Sequence, residues 1–223
     1  MEDHIDILEY YKKANKAEER KEAFGYFETK YVEQPFENYF IIEEESRFIA
    51  RNIRFFLPGS IYTYGYPNPI TKDVLSYYDR RPMSLILQTF KAKTTGRTIL
   101  QAINLNFIPE TQKVLLLHTY YRFFGRYLLE AERDSDRGLI AQAKNLAKFL
   151  KDWTQVNTVF VKQGKIPLTF AVRNYDVSGI LNPVMIEMED WSMIPFFVPR
   201  ELQGIGPAQV YADYVTAKKN ALR

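Results

Sequence analysis

Tyr62, Tyr64 and Tyr66 stand at every second position in the stretch SIYTYGYPNPITKDVLSYYDRRPMSLIL. Alternate positions share one face of a strand, so the three rings form a ladder. Arg80 and Arg81 follow within the same stretch, and Lys91, Lys93 and Arg97 come soon after. Aromatic faces beside cations suit base stacking with phosphate pairing, as on single-strand nucleic-acid platforms. The same arginines suit the carboxylates of a partner protein. A tyrosine ladder is also how a small barrel fills its core, which is the more economical reading in so aromatic a chain. These eight residues are the candidate contacts, for protein or DNA. Tyr77-Tyr78-Asp79-Arg80-Arg81-Pro82 reads as a structured turn, with Asp79 accepting hydrogen bonds from the backbone or from Arg80 or Arg81.

Other constellations are weaker. Glu187, Glu189 and Asp190, joined by Asp176, contain enough carboxylate for Mg²⁺, and Glu187 and Glu189 would share a strand face. No lysine stands at the offset such a nuclease site needs, so no metal is expected. His118 has no acidic or histidine partner one helical turn away and reads as a packing residue. Gly204-Ile205-Gly206-Pro207 lacks the third glycine and the lysine of phosphate-binding loops, and reads as a turn before a last helix. The chain has no cysteine and only two histidines, which excludes disulfides, thiolate catalysis and cysteine-ligated metals. The expectation is a protein that is not an enzyme and carries no cofactor.

Composition fits a globular protein: 223 residues, 46% hydrophobic and 26% charged. No apolar run is long enough to span a bilayer, and the N-terminus reads as no secretory signal. The net charge of +3 hides an asymmetry. Residues 1–45 hold 13 acidic and 6 basic side chains, residues 46–100 hold 2 and 9, and residues 101–223 hold 12 and 15. A basic module after an acidic arm fits either contact with nucleic acid or packing against oppositely charged protein surfaces.

These residues need elements to position them. The spacing of Ile5, Leu8, Tyr11 and Ala14 predicts one largely polar helix from Asp3 to about Tyr31, bent at Gly25 and ended by Pro35, lying across the body or a partner. From 36 to 109 the language is that of strands: FENYFII, RFIARNIRFF, SIYTYGY, MSLILQTFKA and RTILQAINLNFI. Gly96 closes a hairpin between the last two. Apolar spacing then predicts a helix from Val114 to near Arg133 and a second from about Arg137 to Asp152, together a helical hairpin. TFAVRNY, VMIEM and MIPFFVP read as short strands, with Ile194, Phe196 and Val198 returning to the sheet, before a last helix from about Pro207 to Leu222. The expected fold is α+β: a small antiparallel SH3-like or OB-like β-barrel with an N-terminal helical arm, a helical hairpin and a C-terminal helix. The expected division is 1–35 arm, 36–109 barrel module, and 110–223 helical hairpin, returning strands and last helix.

Four motifs occur in a telling order. They are Pro58-Gly59 with Tyr62 and Tyr64; Leu75, Tyr77-Tyr78-Asp79-Arg80 and Pro82-Met83; Gly96 with Asn104-Leu105-Asn106-Phe107-Ile108-Pro109; and Met188 with Ser192-Met193-Ile194-Pro195-Phe196-Phe197-Val198-Pro199. Over about residues 58–200 this order resembles a family of contractile-tailed phage proteins with PYYDRFP-like, GLNLHYLP-like and EWxIALFLP-like segments. The resemblance implies a non-enzymatic structural or assembly protein of the virion, in the neck, tail or baseplate, assembled in the host cytoplasm. Its partners would be other virion proteins, in a symmetric assembly and without a membrane. Members described as DNA end protectors supply the alternative, binding of double-stranded DNA ends. Asn106 stands where the family motif has histidine, and the N-terminal arm is acidic; both weigh against direct DNA contact.

Overall fold

The structure, a computed structural model, describes residues 6–32, 56, 58–67, 79–133 and 166–220. FENYFII, RFIARNIRFF apart from Phe56, Tyr77, Tyr78 and the helix expected from Arg137 to Asp152 lie outside the described residues.

The N-terminal arm is two helices rather than one: α1, Ile7–Lys13, and α2, Lys16–Phe27, which widens into a π turn at Glu28–Val32. The Asp6 carboxylate caps α1 by accepting the Glu9 amide at 2.9 Å. The break falls at Ala14 and Asn15, both extended. Gly25, expected to bend the helix, sits inside α2 instead. The polar arm is held to the body by its aromatics. Tyr10 and Tyr11 pack on Phe196 with ring centroids 6.1 and 5.5 Å apart, and Phe24 and Phe27 pack on Phe197 at 6.3 and 5.3 Å. Arg20 Nε and the Tyr11 hydroxyl both donate to Glu110, at 2.8 and 2.7 Å. The expectation that the arm crosses the body holds.

Five antiparallel strands form one sheet in the order β4-β3-β2-β1-β5: β1 Ile61–Gly65, β2 Met83–Lys91, β3 Thr98–Asn104, β4 Val172–Asp176 and β5 Leu181–Met185. The expected barrel is corrected by this order, since β4 and β5 end the sheet on opposite edges without pairing. Curvature nonetheless is strong. Only residues 177–180 join the two edge strands, and such a link reaches about 17 Å at most. Four flat strand spacings would need about 19 Å. The sheet therefore curls. Across its concave face the Tyr175 ring of β4 meets Tyr64 of β1 and Tyr66, just past its end, at 5.3 and 5.0 Å, although two strands lie between β4 and β1. Register shifts between Thr63 and Gly65 and between Ile86 and Gln88 add twist.

The opposite face carries the larger core. Ile61, Met83, Leu85 and Ile103 meet Leu116, Leu117 and Tyr120 of α3, Glu110–Arg133, together with Trp191, Ile194 and Phe196. The expected strand over 193–199 is replaced by 3-10 turns at Met188–Ser192, Ile194–Phe196 and Arg200–Leu202. Pro195 and Pro199 lack the N–H that a sheet ladder requires. Ile194 and Phe196 are buried in the core, not returned to the sheet. TFAVRNY likewise divides into a single helical turn, α4 (Leu168–Ala171), and β4. The last helix, α5, runs from Pro207 to Asn220, after a turn at Gly204 and Gly206 as expected.

Candidate functional site

The turn that carries Arg80 and Arg81 is built on a buried carboxylate. Asp79 Oδ1 accepts the Arg81 amide at 3.1 Å, and Oδ2 accepts Asn104 Nδ2 at 2.8 Å and Asn106 Nδ2 at 3.0 Å. Burial raises the Asp79 pKa, and those amide donors oppose the shift. The capping role expected of Asp79 is present, with asparagines as the side-chain donors in place of Arg80 or Arg81. The backbone above is clamped twice more: Arg80 O accepts the Tyr66 amide at 3.0 Å, and Arg81 O accepts Asn106 Nδ2 at 3.1 Å. Asn106 is thus a structural donor. Its Oδ1 is buried without a hydrogen-bond partner.

From this base the two arginines line a groove of about 520 Å³. Thr63, Gly65, Tyr66, the apolar Leu181 and Phe197, and Pro199, Arg200 and Glu201 line it too. A Cβ on Gly65 would stand 3.3 Å from Leu181 Cβ, so β1 and β5 approach closely there. Arg200 is held by Glu28 of the arm at 3.2 Å and lies 5.5 Å over the Phe24 ring. Among the described residues, Arg80 and Arg81 have no carboxylate partner.

The eight candidate contacts fall in three places. Tyr62, Tyr64 and Tyr66 are interior, with 7%, 0% and 6% exposure, packed with Phe56, Ile86, Leu100 and Tyr175. They fill the curled sheet and offer no stacking face to a ligand. Arg80 and Arg81 stand at the groove. Lys91, Lys93 and Arg97 are exposed at the other end of β2, at the hairpin tip, which at about 3.3 Å per residue is some 30 Å along the strand. That tip is well formed, with the Ala92 amide on Arg97 O and the Gly96 amide on Ala92 O, both at 2.8 Å, and Gly96 at φ +66°. Arg97 Nη1 donates to Asp176 Oδ2 at 3.0 Å. Phe90 is 39% exposed beside these cations and was not singled out by the sequence pattern.

The carboxylates considered for a metal are committed elsewhere. Glu187 and Asp190 receive Lys30, at 2.6 and 2.8 Å, and Tyr26 and Tyr31 also donate to Asp190. Asp176, held by Arg97 and Ser178, is at the opposite side of the sheet. The strand face proposed for Glu187 and Glu189 does not form, because β5 ends at Met185 and Met188 starts a 3-10 turn. No cluster able to hold a metal occurs among the described residues. His118 is half-buried, with its Nδ1 3.6 Å from the Asp6 carboxylate of the arm. Two cations escaped the sequence reading. Lys113 is buried and donates to Phe197 O at 2.9 Å, and burial pulls its ammonium down to about 8. Lys30 is the node of the arm's ion pairs; only the folded chain brings its partners to it.

No family model, curated protein or solved structure matches the chain.

Proposed function

We propose that the chain is a non-enzymatic structural or assembly protein of a tailed-phage virion, acting through protein–protein interfaces. The resemblance over residues 58–200 motivates the class of particle. The observation that carries the mode of action is the β2–β3 hairpin. Burial stops at Leu87 and resumes at Leu100, so the outer half of the hairpin leaves the core, with Phe90 exposed short of a hydrogen-bonded tip that carries Lys93 and Arg97. An exposed aromatic on one face of the hairpin, with Lys91 on the other face and Lys93 at the turn, is suited to an apolar depression on a neighbouring subunit whose border is acidic. The test is an immunoblot of purified particles from the phage that encodes the chain. Detection at a fixed ratio to the other virion proteins is expected, and absence from intact particles overturns the reading.

The same three cations favour a second reading, binding of double-stranded DNA ends. A blunt-ended duplex titrated across a salt series tests it. Affinity that falls steeply with salt and with Lys91→Glu/Lys93→Glu would make end binding the leading function; no binding at low salt would remove it.

A further inference from the structure

We propose that the groove beneath Arg80 and Arg81 is a docking site for an extended acidic segment of a partner protein. Its carboxylates would pair with the two guanidiniums, and an apolar side chain between them would rest on Leu181. The proposal deepens the assembly reading above and rests on it. Three observations carry it. The groove is concave and, at about 520 Å³, holds a few side chains. Its charge is incompletely matched: Glu28 engages Arg200, and Arg80, Arg81 and Arg200 outnumber Glu28 and Glu201 in the lining, with no carboxylate bonded to Arg80 or Arg81 among the described residues. Those two side chains rise from a backbone fixed by Tyr66, Asp79 and Asn106, so binding has only the side chains themselves to order.

The walls also select the kind of partner. A nucleic-acid strand carries a phosphate on every nucleotide and would meet Glu28 and Glu201 as well as the arginines. A peptide can set its acids opposite Arg80 and Arg81 alone and put an apolar residue against Leu181, which is 51% exposed and lines the groove with Phe197. Planar guanidiniums match carboxylates in a two-pronged geometry, which fixes the register of such a segment.

The experiment uses the full chain, ¹⁵N-labelled, titrated with three probes: a short end-capped peptide alternating glutamate with leucine, the same peptide with lysine for glutamate, and a short oligothymidylate. The glutamate peptide is expected to shift the amide signals of Gly65, Arg80, Arg81 and Leu181. The lysine peptide is expected to leave them in place. Arg80→Glu/Arg81→Glu should weaken the response by about tenfold or more without lowering the unfolding temperature, whereas Lys91→Glu/Lys93→Glu should preserve it. Absence of those shifts at millimolar peptide overturns the proposal. So does an unchanged response in the arginine variant, or oligothymidylate acting on the same amides at lower concentration. The particle immunoblot decides the assembly reading separately, since the chain can be a virion component whether or not this groove binds peptide.

Discussion

Lys30 and Asp190, 160 residues apart in sequence, meet at 2.8 Å, and the same ammonium reaches Glu187 at 2.6 Å. Asp190 also accepts the hydroxyls of Tyr26 and Tyr31, so a single carboxylate of low exposure ties the π turn of the arm to the 3-10 turn after β5. Partial burial disfavours the Lys30 charge, but its bonds to Asp190, Glu187 and Tyr26 more than compensate and raise its pKa. Asp190→Ala should therefore cost about 1–3 kcal/mol, because it leaves the Tyr26 and Tyr31 hydroxyls without their acceptor while Lys30 keeps Glu187. Urea unfolding measures it, and a loss under about 1 kcal/mol would refute the tie.

Lys113 predicts a rise of stability with pH. Its ammonium sits at about 8 in the fold because of burial, against about 10.4 in an unfolded chain. Below pH 8 both states hold the proton and the burial penalty is present in full. Between the two values the unfolded state binds more protons, so stability increases as pH rises. Measured against Lys113→Met, the wild type should gain on the order of 3 kcal/mol from pH 7 to pH 10.5. The variant comparison cancels the tyrosines, which act in the opposite sense above pH 10. A flat difference between the two proteins would count against a buried lysine.

Two glycines should respond to alanine with opposite signs. Gly25 lies inside α2, and a Cβ added there would meet nothing within 4 Å, so Gly25→Ala should stabilise by about 0.5–1 kcal/mol. Gly96 is equally open but at φ +66°, and Gly96→Ala should cost about 1 kcal/mol through backbone strain. Thermal melts of the pair decide this; shifts of the same sign would be inconsistent with one or both backbones.

The tyrosine ladder offers a third contrast. The Tyr64 hydroxyl donates to Ser84 Oγ at 3.0 Å in a fully buried site, and burial lifts its pKa well above the usual phenol range. Tyr64→Phe should cost about 1 kcal/mol and Tyr64→Ala about 3–5 kcal/mol. If instead the ladder were a contact surface, Tyr64→Ala would leave folding intact and lower only binding. Circular dichroism melts beside the titrations above separate the two.

Much of the fold was legible because its signals are local. Gly96 between two β-rich runs marked the hairpin, the apolar period from Val114 marked α3, and Gly206-Pro207 marked the start of α5. The errors came where tertiary context overrode local pattern. MIPFFVP has the composition of a strand, but its flanking prolines and the demand of Phe196 and Phe197 for the arm's aromatics make it a run of turns. Tyr62, Tyr64 and Tyr66 were correctly placed on one face, while the inward direction of that face depends on how the sheet curls. Arg80 and Arg81 were visible as cations. Their groove was not, since Arg200, Leu181 and Phe197 come to it from more than 95 residues away along the chain.

The sheet order also bears on how the chain reaches its fold. The β2–β3 hairpin pairs neighbours in sequence and closes through the tight turn at Gly96, an event of microseconds. β1 must wait for β5: Tyr62 pairs with Met185, and Thr63 with Val184. At ordinary rates of synthesis, about 5–20 residues per second, that wait lasts several seconds or more on the ribosome. During it the outer edge of β1 stays unpaired with β5 and the tyrosine cluster lacks Tyr175, Val177 and Ile180, so the nascent chain carries an aggregation hazard until residue 185 emerges.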